Sequence, residues 1–167
     1  MVEVRSIDRT AAAIIPRRGA LASLAGALEA KFGLDLPEVG RWEGTANLRL
    51  VRTAPHQVLA VRDGAGERMF DELDAALGPH AGVIDLSDAR AAIRVEGPGA
   101  RDVLARLLPL DLHPSVMQAG NAAGTLAAHM SVLVLQMDDA PVYELLCQHS
   151  FAGAFLRALE LLRESDA

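Results

Sequence analysis

The chain has 167 residues, 51% of them hydrophobic and 23% charged, with a formal net charge of −6; that suits one domain, or two small lobes sharing a core, and excludes wholesale disorder. The acidic balance argues against nucleic acid, whose affinity comes largely from phosphate neutralisation, and no apolar run approaches the ~20 residues of a membrane span. A single cysteine, Cys147, excludes an internal disulfide, and MVEVRSIDRT has no charged-then-apolar leader pattern, so a cytoplasmic location is expected.

In chain order, residues 2–15 read as extended, through Val2, Val4 and Ile7 to Ala12–Ile15, and end at Pro16. The spacing of Leu21, Leu24, Ala25, Leu28 and Phe32 predicts a helix from about Gly19 to Phe32, with Gly33 as its C-terminal cap. Residues 34–44, with two glycines and Pro37, read as a loop holding the lone Trp42. Leu48–Val51 and Gln57–Arg62 form a predicted hairpin about Ala54-Pro55-His56, and Asp63-Gly64-Ala65-Gly66 is the next turn. Met69, Phe70, Leu73, Ala76 and Leu77 make a second amphipathic helix, closed by Gly78-Pro79.

The chain is organised around the stretch Val83–Pro114. It reads as strand, tight turn, strand, helix and a proline-bracketed exit. Ile84 and Leu86 alternate with Asp85 and Ser87, and Ile93 and Val95 share a strand face. Gly97-Pro98-Gly99 breaks the strand and opens a helix carrying Val103, Leu104, Leu107 and Leu108, which Pro109 stops. Pro109 and Pro114 bias Leu108 and His113 toward extended geometry, and in an extended chain Leu110 and Leu112 share one face and Asp111 and His113 the other; Asp111 then either serves docking or caps a local turn. Residues 115–119 read as irregular. Strands are expected over Gly124–Ala128, Ser131–Met137 and Val142–Cys147, with a turn at Asp138-Asp139-Ala140-Pro141. A last helix should run from about Ser150, a candidate N-cap, to Arg163 with Phe151, Phe155, Leu159 and Leu162 inward.

The two halves repeat a grammar: Leu21 and Leu24 follow Pro16 much as Leu104 and Leu107 follow Pro98. The expected class is α+β, with two similar βαββα lobes, residues 1–82 and 83–167 in one compact unit, whose helices pack on one side of antiparallel sheet.

No catalytic constellation emerges. Gly64-x-Gly66 lacks the third glycine of a dinucleotide fingerprint and no G-K-[ST] occurs, so a plain turn is expected. Cys147 and His149 sit two apart with no further ligand placed by spacing; within VYELLC the cysteine reads as a small buried hydrophobe and no metal site is assigned. Asp138 and Asp139 are neighbours, which on a strand would face opposite ways, and read as turn residues.

D-L-S at 85–87, Arg90, G-P-x-A at 97–100, Leu104 and P-L-D-L-H-P at 109–114 resemble the glycine-cleavage aminomethyltransferase family and its folate-binding relatives. The wording VIDLSDAR followed by PLDLHP is most similar to one branch, the gamma subunits of heterotetrameric sarcosine oxidase. The resemblance implies a folate-binding-domain fold and a small non-catalytic subunit beside alpha, beta and delta partners. In that family the complex oxidatively demethylates sarcosine to glycine, with FAD, FMN and NAD on the larger subunits and tetrahydrofolate as one-carbon acceptor. The G-G-x-x-D-D element of the aminomethyltransferases has no Gly-Gly counterpart in Gly120–Asp139, and His149 stands where the family tends to carry arginine. No cofactor is therefore assigned to this chain. The subunit-interface candidates are Asp111, His113 and Arg90. A free-standing folate-binding module is the alternative, and a paralogue without a flavoprotein partner a third.

Overall fold

The computed structural model of the protein describes residues 1–64 and 68–164. Among these residues, ten strands and four α-helices form two compact units, Met1–Ile7 with Ala89–Ala167, and Asp8–Asp88. A division at 82/83 would fall within a strand, Ala81–Asp85, that pairs with Ala12–Pro16 of the first half.

In the Asp8–Asp88 unit the elements are β2 (Arg9–Pro16), α1 (Leu21–Phe32), β3 (Arg41–Thr45), β4 (Leu48–Ala54), β5 (Gln57–Asp63), α2 (Met69–Leu77) and β6 (Ala81–Asp85). They make an antiparallel five-stranded sheet in the order β3-β4-β5-β2-β6. One face carries Ala12, Ile14, Leu48, Leu50, Val58 and Ala60, packed with Leu24 and Leu28 of α1 and Met69, Leu73 and Leu77 of α2. The period-2 pattern of the strands meets the 3.6-residue pattern of the helices across that layer. Gly33 caps α1 in the left-handed conformation, as its sequence position predicts, and donates its N–H to the Glu29 carbonyl.

The other unit holds β1 (Glu3–Ile7), β7 (Arg90–Glu96), α3 (Ala100–Ala105), β8 (Ala122–Ala127), β9 (Met130–Asp138), β10 (Val142–Gln148) and α4 (Ala152–Glu164). Its sheet order, β1-β7-β10-β9-β8, is again antiparallel. Val95, Tyr143, Leu145 and Val134 pack against Val103 and Leu104 of α3 and Phe155 and Leu159 of α4. Read from the opposite edge, this order matches the first sheet strand for strand, with β8, β9, β10, β7 and β1 taking the places of β3, β4, β5, β2 and β6. The α+β class and the helices on one side of antiparallel sheet are as expected. Each repeat runs βαβββα, one strand more than βαββα, and a fifth strand completes each sheet: β6 in the first and, from the chain's start, β1 in the second.

Several local expectations change. The extended run 2–15 is two strands in different sheets, parted at Asp8. Arg41–Thr45, expected in a loop, is an edge strand held by pairing with β4; its few apolar residues gave no strand pattern. The strands either side of the 86–89 turn are not partners, since β6 pairs with β2 and β7 with β1 and β10. α3 stops at Ala105, earlier than Pro109 requires. Ser150 is not an N-cap: it lies in a 3-10 turn, His149–Phe151, preceding α4, and Phe151 is 39% exposed rather than inward.

Two glycines among the described residues combine a positive φ with no room for a side chain: Gly44, at φ +125° against the Leu48 carbonyl, and Gly97. The φ of Gly97 is +114°, and a Cβ there would overlap the carbonyl of Met1. Gly97→Ala is expected to lower stability by more than about 1 kcal/mol, read from the urea midpoint of the full chain.

Candidate functional site

The proline-bracketed segment behaves as the alternation predicts. Leu108 and Leu112 are buried in the core and Leu110 packs partly against it, while Asp111 and His113 are exposed. Asp111 also closes a turn, its Oδ1 accepting the His113 N–H at 2.9 Å. The His113 carbonyl accepts the N–H groups of Val116 and Met117, and Met117 is buried in the same core. His113 Nδ1 accepts from the Ser115 backbone N–H at 3.2 Å and lies 2.7 Å from Ser115 Oγ. A backbone N–H can only donate, so the neutral ring carries its proton on Nε2. The loop therefore presents a carboxylate and an oriented imidazole on a leucine-anchored base.

Arg90 begins β7 opposite Gln148 of β10, and its charge lies close to Cys147. Burial pushes the Cys147 thiol up, and Arg90 opposes that only in part. Cys147 is 1% exposed within the core, whereas His149 lies past the strand end and is exposed, so the two do not form a pair. Among the described residues no group of three or more side chains is placed to hold a metal. Asp138 and Asp139 serve turns, accepting the N–H groups of Ala140 and Ala119 at 3.2 Å each. Gly64, at φ +80°, donates to the Asp8 carbonyl and accepts from Thr10 Oγ at 2.8 Å; Gly66 lies outside the described residues.

Two features gave no sequence signal. The first is a lattice of charge on the side of the β1-β7-β10 sheet away from the helices. Arg5 faces Arg94 and Glu3 faces Glu96 in register, and the like charges are relieved sideways. Arg94 binds Glu96 at 2.8 Å and fully buried Glu144 at 3.4 Å, and Arg5 reaches Glu96 at 3.3 Å. The Arg94 hydrogen bond, above all, holds the Glu96 carboxyl below its ordinary value of 4.5, against a smaller upward push from burial. The second is a groove of about 1040 Å³ beside the start of α1, with Pro16, Leu21, Ala25 and Leu36 among its lining and Arg17, Arg18, Asp35 and His56 at its rim. Arg17 spends its guanidinium on the Gly78 carbonyl, at 3.2 and 2.9 Å. These contacts join residues far apart in sequence, so no spacing announced them.

No helix among the described residues is long and apolar enough to cross a membrane.

Residues 18–163 match the family model described as "Sarcosine oxidase, gamma subunit family". The chain is 34% identical over 163 residues to the sarcosine oxidase subunit gamma of Arthrobacter sp., an alignment spanning 87% of this chain and 78% of that one. It superposes on a chain of the heterotetrameric sarcosine oxidase from Corynebacterium sp. U-96, in complex with pyrrole 2-carboxylate, with a TM-score of 0.86 and 27% identity, covering 99% of this chain and 86% of that one. The fold is shared with the glycine cleavage system aminomethyltransferase T of Bartonella henselae, at a TM-score of 0.72 and 18% identity over 95% of this chain and 45% of that one.

Leu112→Ala should cost about 2–5 kcal/mol, because the leucine fastens the loop to the core. Asp111→Ala should cost only about 0.5–1.5 kcal/mol, the worth of its turn hydrogen bond; chemical denaturation of both variants checks the contrast. The native Cys147 thiol should react with a thiol reagent far more slowly than the same thiol in denaturant. Because the Glu96 pKa is lowered by folding, its contribution is present above 4.5 and disappears as pH falls through the lower folded value. Glu96→Gln should flatten the stability profile in that acid window and leave its shape near neutrality unchanged.

Proposed function

The chain belongs to the sarcosine oxidase gamma subunit family, and from that premise we propose that it is the small, non-catalytic gamma subunit of a heterotetrameric, flavin-dependent oxidase. The observation that carries this is the match along nearly the whole chain, in sequence and in backbone, to gamma subunits of that oxidase. Its partners are then the alpha, beta and delta subunits, and the reaction of the whole is oxidative demethylation of sarcosine to glycine with tetrahydrofolate as one-carbon acceptor. FAD, FMN, NAD and the folate belong on the larger subunits, and the complex works in the cytoplasm.

The disposition of polar groups supports a structural role. Asp85, Asp111, Asp138 and Asp139 each hold a turn, Cys147 fills core, and Glu96 and Glu144 neutralise Arg94. None of these is left to move a proton on a substrate. The aminomethyltransferase likeness is one of fold and brings no folate site with it.

Asp111, His113 and Arg90 are the residues of this chain we assign to docking. The loop is preorganised by its own hydrogen bonds, so binding a partner there costs little ordering.

Co-expression of the tagged chain with the other three subunits should recover a four-chain, yellow complex, whereas the chain purified alone should be colourless. Flavin bound at near one per isolated chain would overturn the non-catalytic reading. His113→Ala together with Arg90→Ala should weaken assembly at least tenfold with the melting temperature of the lone chain unchanged. Full assembly of that double variant would remove both residues from the docking site.

A further inference from the structure

The two sheets are topological copies, yet their edges are not guarded alike. An edge strand exposes unpaired backbone groups, and proteins commonly blunt it with charged side chains. β1 carries Glu3 and Arg5, and β3 carries Arg41 and Glu43. β6, which stands where β1 stands in the other sheet, reads Ala-Gly-Val-Ile-Asp. Its one charge is turned onto its own loop: Asp85 Oδ1 accepts the Ser87 N–H at 3.0 Å and the Ser87 hydroxyl at 2.7 Å. No basic residue stands on the strand.

The register shows which backbone groups are open. Leu86 donates its N–H to the Ala11 carbonyl, and Arg17 donates to the carbonyl of His80, bracketing the β2–β6 ladder. Even-numbered residues of β6 therefore bond to β2, and Ala81, Val83 and Asp85 turn N–H and C=O outward. Beside this bare edge lie two large apolar side chains. Ile84 faces Ala13 and Ile15 faces Gly82, which makes the isoleucines diagonal neighbours on the face opposite the helices. They are 49% and 44% exposed. The edge of β8 is uncharged too and exposes Leu126, whose diagonal neighbour on β9 is the half-buried Leu133; what sets β6 apart is that both members of its diagonal pair, Ile84 and Ile15, are exposed.

We propose that β6 accepts an extended segment of a partner subunit as a sixth, added strand, with apolar side chains of that segment seated on Ile15 and Ile84. This rests on the gamma-subunit reading and adds to it a second docking surface and the way it recognises its partner, through main-chain hydrogen bonds. The size of the edge decides against a second copy of this chain as the occupant. Five residues span about 17 Å, while a stable interface engages about 20–30 residues a side. Two copies paired edge to edge would fall short, but a strand contributed by a larger subunit gains the rest of its contact elsewhere.

The test is hydrogen exchange on the co-expressed four-chain complex against the isolated chain, with Ile84→Lys as the variant. On assembly the Val83 and Asp85 amides should slow at least tenfold, while the Ile84 amide, already bonded to β2, changes little. Ile84→Lys, at an exposed position, should leave the lone chain's melting temperature unchanged and weaken assembly at least tenfold. A wild-type complex whose Val83 and Asp85 amides exchange as in the free chain would overturn the strand addition alone. An isolated wild-type dimer that Ile84→Lys dissolves would overturn it in favour of a second copy. Failure of the wild-type chain to join the other subunits at all would overturn the gamma-subunit reading, and this docking with it.

Discussion

The pairing of β1 with β7 is the constraint on which the second unit depends. It ties Glu3–Ile7 to residues 92–96, across most of the chain, and places Val4 in the core beside Val95 and Ile93. Without it that sheet would have four strands where its twin has five. The same pairing brings the Met1 carbonyl against Gly97, which accounts for a glycine at a backbone angle that other residues rarely adopt. It also sets Arg5 beside Arg94, and Glu96, bonded to both guanidinium groups, offsets their repulsion, while Glu144 meets Arg94 from the β10 side.

In that charge lattice and in the turn aspartates, polar side chains hold the molecule's own shape. A buried carboxylate such as Glu144 costs less where a guanidinium, that of Arg94, lies against it. Its surface includes a loop fastened by leucines and, at β6, a sheet edge with a single charge that is turned onto its own loop.

Duplication makes the differences between the halves informative. The same strand order recurs, so a feature present in one copy and absent from its counterpart is not imposed by the fold. Charged β1 and uncharged β6 occupy equivalent places, and the contrast between them is a property of sequence laid on a common frame.

The sequence by itself determined the α+β class, the helices around Leu24, Leu28, Leu73 and Leu77, the β4–β5 hairpin, the strands that become β8 and β9, and the leucine anchoring of Asp111 and His113. All of these follow from apolar periods of two or 3.6 residues and from turn chemistry, which act over a few neighbours. The family was legible too, in D-L-S, G-P-x-A and P-L-D-L-H-P. Only the tertiary structure decided that the first extended run divides between two sheets, that Arg41–Thr45 is a strand, and that the chain's start completes its last sheet. Strand partners are chosen by which faces and edges remain to be covered once the hairpins and helices exist, and pairing over ninety residues leaves no trace in local spacing. The Arg94–Glu144 contact and the bare edge of β6 are invisible in the sequence for the same reason: each is a relation between strands that meet only after folding.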